Sequence, residues 1–144
     1  MRVLWVFRHV SAQLERVAKD LARRRDFTLE IMCHWGDRPS VNDSVAMTTR
    51  LECRRKIDFA AQRAIREKLR TGEFDIVHAY TSLDLASVIG AFRGLRDAPK
   101  IVGYRETINR LQWRDLGNFL TFWHSRVDRI ICVCRATNRA LLAS

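Results

Sequence analysis

No apolar run in this sequence approaches the roughly 18 residues that a membrane span requires; the longest near the end is Ile130–Cys134. The opening stretch, MRVLWVFRHV, is interrupted at Arg8 and is too short for a secretory leader, so it reads as a first strand. A cytoplasmic location follows as the expectation, with peripheral contact at the inner membrane surface left open. Zinc-type spacing is also missing. Cys33, Cys53, Cys132 and Cys134 include one C-x-C and no second matching pair. Reduced, buried or partly buried thiols are therefore expected, with no metal and no cofactor. The first loop, RHVSAQ, contains no glycine, which withholds the dinucleotide fingerprint. There is no P-loop, no G-x-S-x-G and no H-E-x-x-H. Repeats and low-complexity stretches are absent as well.

Acidic side chains are in short supply, 16 against 26 basic ones, for a net charge of +10. The excess is spread out. Residues 8–25 carry six basic and two acidic groups, and residues 50–73 carry eight and four. Such a surface suits an anionic partner: a phosphate-bearing ligand, an acidic lipid surface or nucleic acid. Simple solubility explains it equally well. At 144 residues, with 47% apolar and 29% charged residues, the chain can bury a core without disulfides and is expected to form one domain over 1–144.

The apolar pattern alternates strands with helices. RVLWVF is a continuous apolar strand of the buried parallel type. Leu14, Val17, Ala18 and Leu21 form the stripe of a helix with Ser11 as its cap. A second strand covers Phe27–Cys33, and the HWGDRPSVND stretch is loop. A weaker strand with Val45, Met47, Thr49 and Leu51 is expected at a sheet edge. Asp58 caps the next helix, which Gly72 stops. FDIVHAY is a strand, and Thr81–Asp84 has capping-box form. Leu85, Val88, Ile89 and Phe92 stripe the helix that follows, with Gly94 and Pro99 ending it before KIVGY. Leu116, Phe119, Leu120 and Trp123 mark a further helix capped by Asp115. RIICVC is a sixth strand, and a last helix is cut short by the chain end, a first hint of a fragment. The expected fold class is α/β, a doubly wound, mainly parallel sheet flanked by helices on both faces.

In such sheets ligands sit outside the carboxyl ends of the strands. Those ends should gather Arg8, His9 and Ser11; His34 and Trp35; Tyr80, Thr81 and Ser82; Arg105, Glu106 and Thr107; and Cys134 with Arg135. Cations, hydroxyls and aromatic faces are the groups that hold sugars and phosphates. His78, inside a strand, reads as a hydrogen-bonded structural residue ahead of a catalytic one. Glu106 beside Arg105 reads as a structural ion pair ahead of a general base.

The segments RVLWVF, GEFDIVHAYTSLDLASVIGAFRGL, KIVGYRETI and RVDRIICVCRATNRALLAS together resemble the N-terminal half of family 4 glycosyltransferases, retaining enzymes of the two-Rossmann-domain GT-B fold. The likeness spans nearly the whole chain. It implies transfer of a sugar from a nucleotide-sugar donor to a glycan, lipid or small-molecule acceptor in a cleft between two domains. This half shapes the acceptor side; the donor-binding C-terminal half is expected to be missing, leaving the isolated chain inactive. The resemblance implicates Arg8 and His9 after the first strand and Tyr80, Thr81 and Ser82 after the fourth as substrate-binding residues. Arg105, Glu106 and Thr107 are the corresponding candidates after the fifth, and no residue is assigned a catalytic role. Arg105 is expected to serve binding or transfer rather than folding, so that its loss shifts stability by no more than about 0.5 kcal/mol. Three features depart from the family pattern: the glycine-free first loop, Cys134 in place of serine, and Glu106 where glycine is common. Tyr104–Arg105 stand where many members carry a histidine. The alternative from another class is a stand-alone α/β module binding an anionic ligand or partner surface. Nucleic acid, supported by charge alone, ranks last.

Overall fold

The computed structural model describes residues 1–8, 12–33, 47–51, 55, 57–95, 98–108 and 116–143. Eleven elements follow one another: β1 (Arg2–Phe7), α1 (Ala12–Ala22), β2 (Thr28–Cys33), β3 (Met47–Arg50), α2 (Phe59–Thr71), β4 (Ile76–Ala79), α3 (Ser82–Ala91), β5 (Lys100–Arg105), α4 (Leu116–Phe119), β6 (Val127–Cys132) and α5 (Arg135–Leu142). The strands form one sheet in the order β3-β2-β1-β4-β5-β6. Every neighbouring pair is parallel. The chain starts in the centre, works outward to β3, crosses back and works outward again to β6. That reversal between β1 and β4 is the switch point at which open α/β sheets present a crevice. The expected architecture is present, with an entirely parallel sheet.

The alternation of side chains along each strand divides the core into two layers. Val3, Trp5 and Phe7 of β1 join Leu29, Ile31 and Cys33 of β2 against Ala18 of α1. On the opposite face, Leu4 and Val6 meet Val77, Ala79 and Ile101 beneath α2 and α3, through Ile65, Leu85 and Val88. This double burial is why the strands read as unbroken apolar runs. At the amino-terminal edge of the sheet, Glu30 receives Lys68 at 2.6 Å and Arg2 at 3.0 Å. Burial alone would raise the Glu30 pKa, but hydrogen bonds from the two cations hold it below the usual carboxylate value. The triad ties β1, β2 and α2 together.

Local signals are placed as the sequence implies. Asp58 accepts from the Ala61 N–H at 3.1 Å and starts α2. Thr81 and Asp84 form a complete capping box on α3. Gly94, at φ 75°, supplies the left-handed residue after α3 that a side chain would disfavour. The caps assigned to Ser11 and Asp115 lie outside the described residues.

Three expectations need correction. The helix striped by Leu116, Phe119, Leu120 and Trp123 is a single turn, α4. Thr121 Oγ1 donates to the Gly117 carbonyl at 2.7 Å, while the Thr121 and Trp123 N–H groups both turn back to Asn118. Phe122 reaches the core instead, and Leu116 is left 77% exposed. The sixth strand begins two residues earlier than RIICVC and ends at Cys132. Cys134 then lies exposed at the N-cap of α5, not even partly buried.

Candidate functional site

Adjacent strands β1, β4 and β5 deliver their carboxyl ends side by side, because Val6, Ala79 and Gly103 share one register line. With strands about 4.8 Å apart, the loops after β1 and β5 stand about 10 Å from one another. Arg8, Tyr80, Thr81 and Ser82 are all half-buried at this edge, whereas Glu106 and Thr107 are exposed. His9, His34 and Trp35 lie outside the described residues.

The organising group is Asp84. Its carboxylate is buried and accepts from the Thr81 N–H at 3.0 Å and the Thr81 hydroxyl at 2.6 Å. Thr81 Oγ1 in turn accepts the Asp84 N–H at 3.2 Å. The Arg8 backbone N–H also donates to Asp84, and its side chain supplies a favourable charge. Burial dominates and raises the Asp84 pKa despite these partners. The sequence marks Asp84 only as a capping residue. Its second task, fastening the loop after β1 to the start of α3, joins residues far apart in the chain.

Arg105 does not stand on the rim. Its side chain is 5% exposed and lies over the Phe122 ring, 5.1 Å from the centroid. Desolvation lowers its pKa, opposed by the neighbouring Cys132. This corrects the expectation of an exposed cation whose loss would leave folding untouched. A planar, weakly hydrated guanidinium stacks on an aromatic ring in a buried setting more readily than an ammonium does. Glu106 leaves the strand on the other side, where it lines a cavity together with Tyr104. The two residues thus serve opposite faces of the sheet.

That cavity, about 470 Å³, opens between α1 and the α1-side face of β4, β5 and β6. Its floor is an aromatic group that the sequence reading missed. Tyr80 lies 4.5 Å from His78, 5.6 Å from Trp5 and 5.1 Å from Tyr104, measured between ring centroids. The available signal was the two-residue alternation Ile76, His78, Tyr80 on one strand and Val102, Tyr104 on the next. Burial, reinforced by Tyr104 and Glu106, raises the Tyr80 hydroxyl pKa, so the phenol stays protonated. His78 is 9% exposed, and its Nε2 has no hydrogen-bond partner, contrary to the expected hydrogen-bonded histidine. Burial pushes its pKa down to about 4, which keeps the ring neutral near pH 7.

Cys134 occupies the N-cap of α5, with Sγ 3.4 Å from Thr137 Oγ1. The Thr137 contact, together with backbone donors of the first turn, lowers the thiol pKa. Among the described residues, no group of three or more His, Cys, Asp or Glu side chains could hold a metal ion.

The family model for Glycosyltransferase Family 4 matches residues 10–144. The chain belongs to that family. No curated protein matches it. The family match takes in the strand ends of β4 and β5, Asp84 and α5, and begins just after β1 and Arg8. The switch point between β1 and β4 brings Arg8, Thr81 and Ser82 to one edge of the sheet. No described helix is long and apolar enough to cross a membrane.

Proposed function

We propose that this chain forms the acceptor-side half of a retaining glycosyltransferase that moves a sugar from a nucleotide-sugar donor to a glycan, lipid or small-molecule acceptor. The observation that carries this reading is the family match over residues 10–144. The crevice edge supports it, since the loops after β1, β4 and β5 bring Arg8, Ser82 and Thr107, one cation and two hydroxyls, to the same edge of the sheet. We assign substrate binding to Arg8, His9, Tyr80, Thr81, Ser82, Glu106 and Thr107. Arg105 contributes from beneath, by fixing the end of β5 against Phe122. Donor binding falls to a second domain, because the loop after β1 has no glycine to bring the backbone close to a diphosphate. The working location is the cytoplasm, with an anionic membrane surface as a further partner.

Calorimetry on the isolated chain with uridine and guanosine diphosphosugars tests the division of labour. The expected result is no binding tighter than the micromolar range, which is about −8 kcal/mol, and no turnover. Submicromolar binding, or sugar transfer by the chain alone, would show that this half carries its own donor site.

A further inference from the structure

The cavity beside α1 does not share the charge of the chain around it. It runs along the α1-side face of the sheet, from Val3 and Ile76 near the amino ends of the strands to Tyr80 and Glu106 at their carboxyl ends. Ile76 to Tyr80 spans about 13 Å at the usual rise of a strand, and β1, β4, β5 and β6 lie side by side. A volume of about 470 Å³ is that of a small-molecule pocket. Leu14 and Val17 of α1 line one side, Val102 and Ile131 the other. Val17 and Ile131 are each 46% exposed, so apolar surface is left in water on both sides.

Among the described residues that line the cavity there is no lysine or arginine, although the chain has 26 of them, and the single carboxylate is that of Glu106. The Met1 amine, at the amino-terminal end, is turned to the Asp26 carbonyl at 2.8 Å. Such a lining offers a phosphate or carboxylate nothing in return for its lost hydration and suits an uncharged molecule. His78, on the floor, has its Nε2 buried without a hydrogen-bond partner. A buried polar atom left in that state is costly. A hydroxyl both donates and accepts, so it can answer a neutral imidazole in either tautomer. A purely hydrocarbon occupant, such as the apolar face of a packed helix, would leave that atom unanswered.

We infer that this cavity binds a neutral, largely apolar molecule that bears hydroxyl groups, its body packed between α1 and the sheet and one hydroxyl against His78. Tyr80 and Glu106 belong both to the cavity and to the crevice edge. A molecule held here therefore brings its outer end to the carboxyl ends of β4 and β5, where an acceptor hydroxyl would be needed. That this molecule is the sugar acceptor rests on the transferase reading proposed above, whereas its binding needs no donor and is tested apart from transfer.

Equilibrium dialysis of the chain with 2-naphthol, naphthalene and 2-naphthoate at pH 7 tests it. The expected order is saturable binding of 2-naphthol, about threefold or more weaker binding of naphthalene, and 2-naphthoate weaker than 2-naphthol by about tenfold or more. His78→Leu, which removes no hydrogen bond at Nε2, should bring 2-naphthol down to the level of naphthalene. Val102→Trp on the floor, and separately Ile131→Trp at the open side, should each weaken 2-naphthol about tenfold or more by filling the cavity. Leu142→Trp, on the exposed end of α5, should leave it unchanged, and circular dichroism checks that each variant folds. No saturable binding of 2-naphthol, or 2-naphthoate bound as tightly, would overturn the inference. Equal affinity for naphthalene and 2-naphthol would overturn it in favour of a bare apolar face that a helix or a second copy of the chain covers. Binding that survives both tryptophan substitutions would place the ligand elsewhere and overturn it too.

Discussion

Asp84→Ala should destabilise the protein by about 2–4 kcal/mol, the largest loss expected from any single change at the crevice edge. The carboxylate receives the Thr81 N–H, the Thr81 hydroxyl and the Arg8 backbone N–H in a buried setting. Alanine leaves buried donors without an acceptor, and each costs about 1–3 kcal/mol when unsatisfied. The capping box on α3 goes with it. Asp84→Asn keeps the shape and one acceptor oxygen, so it should lose about half as much. Urea titration of the three proteins measures this directly. A loss below about 0.5 kcal/mol for Asp84→Ala would mean that the loop after β1 is held by something other than this carboxylate.

Acid should weaken the fold through His78. Its folded pKa, about 4, lies below the ordinary value of 6.5. Between those two values the unfolded chain binds a proton that the folded chain refuses, so stability falls as pH drops through that window. The loss attributable to His78 should be about 2 kcal/mol between pH 7 and pH 5 and about 3 kcal/mol by pH 4. Asp84 acts in the opposite sense. Its raised pKa means that the folded state takes up a proton more readily than the unfolded one as pH falls. The clean measurement is therefore a difference, namely the pH dependence of stability in the native protein minus that in His78→Gln. A native protein and variant that lose stability in parallel would show that the His78 ring is solvated, with water reaching it through the cavity beside α1.

Local chemistry made most of the fold legible. Asp58, the Thr81–Asp84 box and Gly94 announce helix ends because each acts on backbone within a few residues. The apolar runs announce a parallel sheet because both faces of its central strands are buried. Where partners lie far along the chain, the same reasoning stops. Arg105 follows an apolar run and reads as the start of a solvated loop, yet Phe122 comes back to cover it. The stripe of Leu116, Phe119, Leu120 and Trp123 has helical spacing, but the Thr121 side chain and the Asn118 carbonyl close the chain into tight turns. For the aromatic floor, alternation puts His78 and Tyr80 on one face of β4, but only the pairing of β4 with β5 brings Tyr104 beside them. At the candidate site, the strand ends were readable from topology, whereas the carboxylate that binds two of them together was not.

The most direct measurement is the kinetics of a completed enzyme, this chain joined to a donor-binding domain from another family 4 member. Arg8→Ala should lower kcat/KM for sugar transfer at least about tenfold, the loss of one charge-assisted hydrogen bond to substrate. Arg23→Ala, an exposed cation at the end of α1, should leave it unchanged. Equal rates for Arg8→Ala and the unaltered enzyme, or equal losses for both variants, would contradict a substrate site at the carboxyl ends of β1, β4 and β5.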